Sequence, residues 1–157
     1  MFLCGEPRLA DYDLVNAIGR VADTSIAVSR LLFSGHLLRF PGMKLVLSHG
    51  GAALPLVLGR LARNCTIAQG KYADPRKGFE ALYFDSVVFD ADALRFLAAK
   101  AGPEKIMLGS DMPFPIGDIE SCKVVHAAGF SNARCAAILG GNARKVFRVR
   151  ADRWRRS

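Results

Sequence analysis

The sequence predicts an α/β fold, and three observations carry that expectation. Two short apolar runs, Leu45-Val46-Leu47 and Ile106-Met107-Leu108, each follow a lysine and each give way to a polar, glycine-containing segment. That is the profile of buried strands with polar C-terminal ends. Segments with three- and four-residue apolar spacing lie between such runs and carry recognisable ends. Strand then helix, repeated, is the rhythm of parallel βαβ units.

Taken in order, Met1-Phe2-Leu3-Cys4 reads as the remnant of a strand. Residues 24–40 place Ile26, Ser29, Arg30, Phe33 and Leu37 at helical spacing, are interrupted by Gly35 and stop at Pro41. The apolar stripe expected there is Ile26, Ala27, Leu31 and Leu38. A helix over residues 52–63 follows the strand Leu45-Val46-Leu47. Residues 64–79, rich in Gly, Lys and Asp, read as a long functional or mobile loop. Leu82-Tyr83-Phe84-Asp85-Ser86-Val87-Val88 resembles a further strand, and residues 90–101 a helix with Asp90 as N-cap and Gly102-Pro103 as stop. Shorter helices are expected over residues 119–128, over 132–139 and after Asn142. The pattern leaves open whether the sheet is a small open one or part of a barrel.

Composition narrows the class. With 157 residues and 51% hydrophobic content the chain has the material for a core, which excludes a disordered polypeptide. The net charge of +8 is concentrated at the C-terminus, where Arg148, Arg150, Arg153, Arg155 and Arg156 face only Asp152. The expected division is a domain over residues 1–147 and a basic, disordered tail over 148–157, with contact to an acidic partner such as nucleic acid as the minor reading. The four cysteines, Cys4, Cys65, Cys122 and Cys135, form no C-x-x-C pair, which excludes a zinc-finger or secreted disulfide framework and points to reduced thiols in the cytoplasm. No basic, apolar leader and no run of ~18 apolar residues is visible, so a soluble chain is expected.

In α/β folds the side chains that do chemistry lie just past the C-terminal ends of the strands. His49 and Asp111 both hold that position. Gly50 and Gly51 let the backbone beside His49 turn close to a ligand. Asp111 is followed by Met-Pro-Phe-Pro, a stiffened loop suited to a metal ligand or general base. The bland alternatives are a turn for His-Gly-Gly and a cap for Gly-Ser-Asp. His36 and His126 have no partner at ligand spacing and read as packing or surface residues. Asp85 reads equally as a strand-end functional group or as a partner for nearby backbone or Ser86.

The motifs together are more specific. Leu47-Ser48-His49-Gly50-Gly51-Ala52-Ala53-Leu54-Pro55, Gly59-Arg60, Tyr83-Phe84-Asp85-Ser86, Lys105-Ile106-Met107-Leu108-Gly109-Ser110-Asp111-Met112-Pro113-Phe114-Pro115 and Gly141-Asn142-Ala143-Arg144-Lys145-Val146-Phe147 stand in this order between Leu47 and Phe147. In order and spacing they resemble successive blocks of the amidohydrolase-related family of metal-dependent decarboxylases and hydrolases. The resemblance implies a (β/α)8 barrel, of which this chain is the C-terminal half, strands five to eight. It implies one divalent metal, commonly zinc or else manganese, held by a His-x-His pair from the first strand, a histidine from the fifth and an aspartate from the eighth.

Carried over residue by residue, Asp111 matches the metal-binding aspartate and His49 the histidine that acts in proton transfer. Arg60 matches an arginine that reaches into a neighbouring subunit's site to bind a substrate carboxylate; a helix-end surface charge is the other reading. The three histidines include no His-x-His pair. Where relatives end the fifth strand in His-Pro, this chain has Phe2-Leu3-Cys4-Gly5, and Cys4 is the candidate ligand there, a thiolate being competent for zinc. A whole barrel takes ~250 residues. The expectation is therefore a truncated or split product that needs a complementary half or self-association. The implied activity is a carboxy-lyase acting on a small carboxylated aromatic or muconate-like substrate, with a hydrolase or a non-catalytic remnant as the alternatives.

Overall fold

A computed structural model describes residues 6–149, and the chain divides into two compact units, Met1–Leu82 and Tyr83–Ser157. The proposed first strand with Cys4, and the arginine tail beyond Val149, lie outside the described residues.

In the first unit, a turn at Pro7–Leu9 and a π-turn at Val15–Gly19 lead into α1 (Arg20–Phe33), α2 (His36–Arg39), β1 (Val46–Leu47), α3 (Leu54–Ile67) and α4 (Pro75–Phe79). Its interior is built from Val28, Leu32, Leu37, Leu47, Leu54, Ala62, Phe79 and Leu82. Polar ties fix the entry of α3. Ser25 Oγ donates to Val21 O at 2.7 Å and accepts the Ala53 N–H at 3.1 Å, so one hydroxyl caps a helix start from the side of α1.

The expected single helix over residues 24–40 is two helices. Gly35 adopts φ 67°, a left-handed value that glycine takes without steric cost, and this ends α1 and starts α2. The expected stripe is corrected with it. Val28, Leu32 and Leu37 are buried, whereas Ile26 is 47% and Leu38 43% exposed. Val28 and Leu32, four residues apart, define the buried face of α1 and leave Ile26 outside it, while Leu38 lies beyond the left-handed Gly35, in α2.

Residues 64–79 are likewise not one loop. The N-terminal part continues α3 to Ile67, and the Asp-Pro pair starts α4, with Asp74 Oδ1 accepting the Arg76 N–H at 2.9 Å. Phe79 is buried, and Gly78 lies so close to α1 that a Cβ would meet Leu32 Cδ2 at 2.8 Å.

The second unit contains β2 (Tyr83–Asp85), α5 (Ala91–Ala101), β3 (Ile106–Met107), α6 (Cys122–Ala127), α7 (Asn132–Ala136) and α8 (Asn142–Phe147). β2 and β3 pair in parallel, Phe84 opposite Ile106 and Asp85 opposite Met107, with α5 as the crossover. The α5 ends are as expected. Asp90 Oδ1 accepts the Ala93 N–H at 2.7 Å, and Gly102 terminates the helix at φ 91°. Phe84, Leu94, Leu97, Ile106, Val125 and Ile138 form the core, each contributing about 1.5–3 kcal/mol by burial.

Two expected helices are shorter than the sequence implies. The segment 119–128 is helical only over Cys122–Ala127, and Ile119 is 85% exposed. The segment 132–139 stops at Ala136 and passes through a π-turn, Ala137–Gly141, into α8. That turn has work to do at the strand: Leu108 N–H donates to Ile138 O at 2.9 Å, and the buried Asn142 amide donates to Pro103 O at 2.8 Å and Ile106 O at 2.7 Å. A longer α7 would carry these groups away from β3.

Candidate functional site

His49 stands one residue beyond Ser48, directly after β1, in a short turn spanning His49–Gly51. Four consecutive residues have left-handed φ: His49 at 56°, Gly50 at 60°, Gly51 at 79° and Ala52 at 59°. The glycines adopt such values freely; the histidine and the alanine do not, at ~1–2 kcal/mol each. The turn is held by Gly51 N–H to Ser48 O at 3.0 Å and Ala52 N–H to His49 O at 2.8 Å. His49 is half-buried, with its Nδ1 atom shielded from solvent. This places an imidazole on a strained strand-end turn, the setting in which backbone strain clusters at functional positions.

Arg60 lies on α3 of the same unit and is exposed. It shares a shallow cleft with Leu61, Arg63, Asn64 and Ile67. Leu56, Arg60, Arg63 and Ile67 recur at three- and four-residue spacing on one face, with Leu56 75% and Ile67 63% exposed. Among the described residues neither arginine forms an ion pair.

Asp111 belongs to the second unit and repeats the pattern of His49. It follows β3 after Leu108-Gly109-Ser110 and has φ 56°. Its loop is closed by backbone bonds: Phe114 N–H to Asp111 O at 3.1 Å, Gly117 N–H to Phe114 O at 2.8 Å and Asp118 N–H to Ser110 O at 2.7 Å. Gly117 lies against that loop, where a Cβ would be 2.9 Å from Asp111 O and from Phe114 O. The Met112–Pro113 peptide is cis.

The other candidates resolve differently. Asp85 Oδ1 accepts the Val87 N–H at 3.1 Å, the backbone role. His36 stacks on Phe40 with ring centroids 4.8 Å apart, and His126 is exposed, so both take the packing or surface roles expected of them. Sequence reasoning passed over Ser86, which is 1% exposed and accepts the Gly109 N–H at 3.2 Å. The available signal was its place at a strand end beside Asp85, equivalent to Ser48 beside His49.

Family comparison fits this architecture. The Amidohydrolase family model matches residues 3–149. The chain belongs to that family. It is 33% identical over 147 residues to 2-amino-3-carboxymuconate-6-semialdehyde decarboxylase of Dictyostelium discoideum, covering 90% of this chain and 41% of the relative. It is 35% identical over 124 residues to the Caenorhabditis elegans protein of the same name, covering 76% of this chain and 31% of that one. Among solved structures it resembles 5-carboxyvanillate decarboxylase from Sphingomonas paucimobilis, with a TM-score of 0.78 and 29% identity over 91% of this chain and 45% of that one. The chain thus spans less than half the length of these relatives. The α/β expectation stands.

The family implies a divalent metal, and the donor set tests whether the residues present fit one. Asp111 supplies one carboxylate. Among the described residues no group of three or more His, Cys, Asp or Glu side chains gathers, so these residues do not by themselves hold an ion in a usual coordination shell.

Proposed function

We propose that this chain is the C-terminal half of a (β/α)8 barrel, strands five to eight, that acts as a carboxy-lyase on a small carboxylated aromatic or muconate-like compound. The observation that carries the reading is the repeated placement of His49 and Asp111, each with a left-handed φ in the segment that follows a strand, His49 two residues beyond β1 and Asp111 four beyond β3. The names of the relatives supply the reaction class.

In a non-oxidative decarboxylation the bond between the carboxyl carbon and its neighbour breaks, its electron pair stays on the substrate carbon, CO₂ leaves and a proton takes its place. An imidazole can carry and release a proton at its ring nitrogens, and His49 has the role of delivering that proton. Arg60, exposed on α3 beside Arg63, has the planar fork that binds a carboxylate and serves a neighbouring copy's site in a homo-oligomer. Asp111 is the one described residue assigned to a zinc or manganese ion. The described donors do not complete a coordination shell for it. A cytoplasmic setting suits the free thiols Cys65, Cys122 and Cys135; among the described residues no helix is long and apolar enough to cross a membrane.

CO₂ release from 5-carboxyvanillate and from 2-amino-3-carboxymuconate-6-semialdehyde, with metal content measured before and after addition of zinc or manganese, tests the proposal. Release that depends on added metal, vanishes in Asp111→Ala and falls ~10²-fold or more in His49→Ala supports it. The incomplete donor set favours a second reading, a chain that keeps the fold without turnover. A protein that takes up no metal, releases no CO₂ and is unchanged by Asp111→Ala establishes that second reading and ends the first.

A further inference from the structure

We infer that Ser86 is a positioning residue for Asp111, its buried hydroxyl oxygen setting the backbone that presents the carboxylate at the end of β3. The functional sense of this rests on the proposed role of Asp111; the coupling itself is a property of the fold.

The paired part of the parallel ladder ends at Asp85 opposite Met107. Beyond it, β2 turns away: Asp85 Oδ1 takes the Val87 N–H at 3.1 Å and Ser86 O takes the Val88 N–H at 2.9 Å. A side chain replaces the next rung. Ser86 Oγ accepts the Gly109 N–H at 3.2 Å from a position 1% exposed. The two chains approach so closely here that a Cβ on Gly109 would lie 2.8 Å from Val87 Cγ2 and 2.9 Å from Asp85 Cβ.

Two residues downstream, Asp111 holds φ 56°, a region that a non-glycine residue leaves unless its surroundings over-determine it. The surroundings do so from both sides. Downstream, Asp118 N–H grips Ser110 O at 2.7 Å and Phe114 N–H grips Asp111 O at 3.1 Å. Upstream, the side-chain anchor is Ser86 Oγ on Gly109. Removing it leaves the Gly109 N–H without its acceptor and frees the start of the segment to relax toward ordinary backbone values. A serine that merely fills core space predicts the opposite, since alanine fills nearly the same volume.

The test is nuclear magnetic resonance on the full labelled chain, reading Gly109 amide exchange together with the Asp111 Cα and Cβ shifts, which report backbone conformation. Ser86→Ala is expected to speed Gly109 exchange about tenfold or more and to move the Asp111 shifts away from left-handed values. Ser86→Thr, which keeps the oxygen, is expected to restore both. Val125→Ala, a core truncation in the same unit that leaves these bonds alone, is expected to lower stability without moving Asp111. Unchanged Asp111 shifts in Ser86→Ala overturn the inference, as does an equal displacement in Val125→Ala. If Ser86→Ala does not fold, Ser86→Cys, with a weaker and longer acceptor, decides by the same two readouts. None of these depends on turnover, so a chain that releases no CO₂ yet shows the coupling removes the proposed reaction and leaves the coupling standing.

Discussion

Replacing glycine by alanine at two positions of this chain should change stability in opposite directions. At Gly109 an added Cβ would stand 2.8 Å from Val87 Cγ2, 2.9 Å from Asp85 Cβ and 3.2 Å from Asp85 Cγ. Asp85 cannot swing aside at no cost, because its carboxylate holds the Val87 N–H. Overpacking of this kind costs ~1–3 kcal/mol, and the reduced freedom of the unfolded chain returns ~0.4–1 kcal/mol. The expected net loss for Gly109→Ala is about 1–2 kcal/mol. At Gly59, within α3, nothing lies within 4 Å of the added Cβ. Only helix propensity acts there, and Gly59→Ala should gain about 0.5–1 kcal/mol. Guanidinium unfolding followed by far-ultraviolet circular dichroism measures both, with the slope unchanged if only stability moves. A Gly109→Ala protein within ~0.3 kcal/mol of the parent, or a destabilised Gly59→Ala, would refute the packing argument.

Further outcomes follow from other contacts. Asn142→Ala removes donors to Pro103 O and Ile106 O and should cost ~2–3 kcal/mol, read as a lower denaturation midpoint. Asp90→Ala removes the cap on the Ala93 N–H and should cost ~0.5–2 kcal/mol, whereas Asp90→Asn, which keeps an acceptor, should cost less. The Glu6 carboxyl, hydrogen-bonded to Arg8, is held below its ordinary pKa. A depressed folded-state value means that any stabilisation from the pair is present above the unfolded pKa and is lost as pH falls through the folded one. A carboxyl titration by nuclear magnetic resonance should show Glu6 protonating at lower pH than it does in Arg8→Ala; identical curves would dismiss the interaction.

Local chemistry made much of the scaffold legible from residue order. The runs Leu45-Val46-Leu47 and Ile106-Met107-Leu108 contain β1 and β3, and the limits of α5 follow from Asp90 and Gly102, because strand burial and helix capping are decided by neighbours in sequence. The strand-end placement of His49 and Asp111 was legible for the same reason, and the family from the resemblance of its ordered motif blocks. Their left-handed backbone was not, since neither residue type demands it.

The tertiary structure decided what depends on distant partners. Which face of α1 is buried, that of Val28 and Leu32, was decided by packing, and the segment after Ile67 contains the short helix α4, whose Phe79 is buried. Strands with polar ends are the parts that local sequence determines. The bond from Gly109 to Ser86 spans 23 residues of chain, and that from Asn142 to Ile106 spans 36. Periodicity and capping reach only a few residues along the chain, so no reading of them reports such contacts; they exist only once the core has brought the strand ends together.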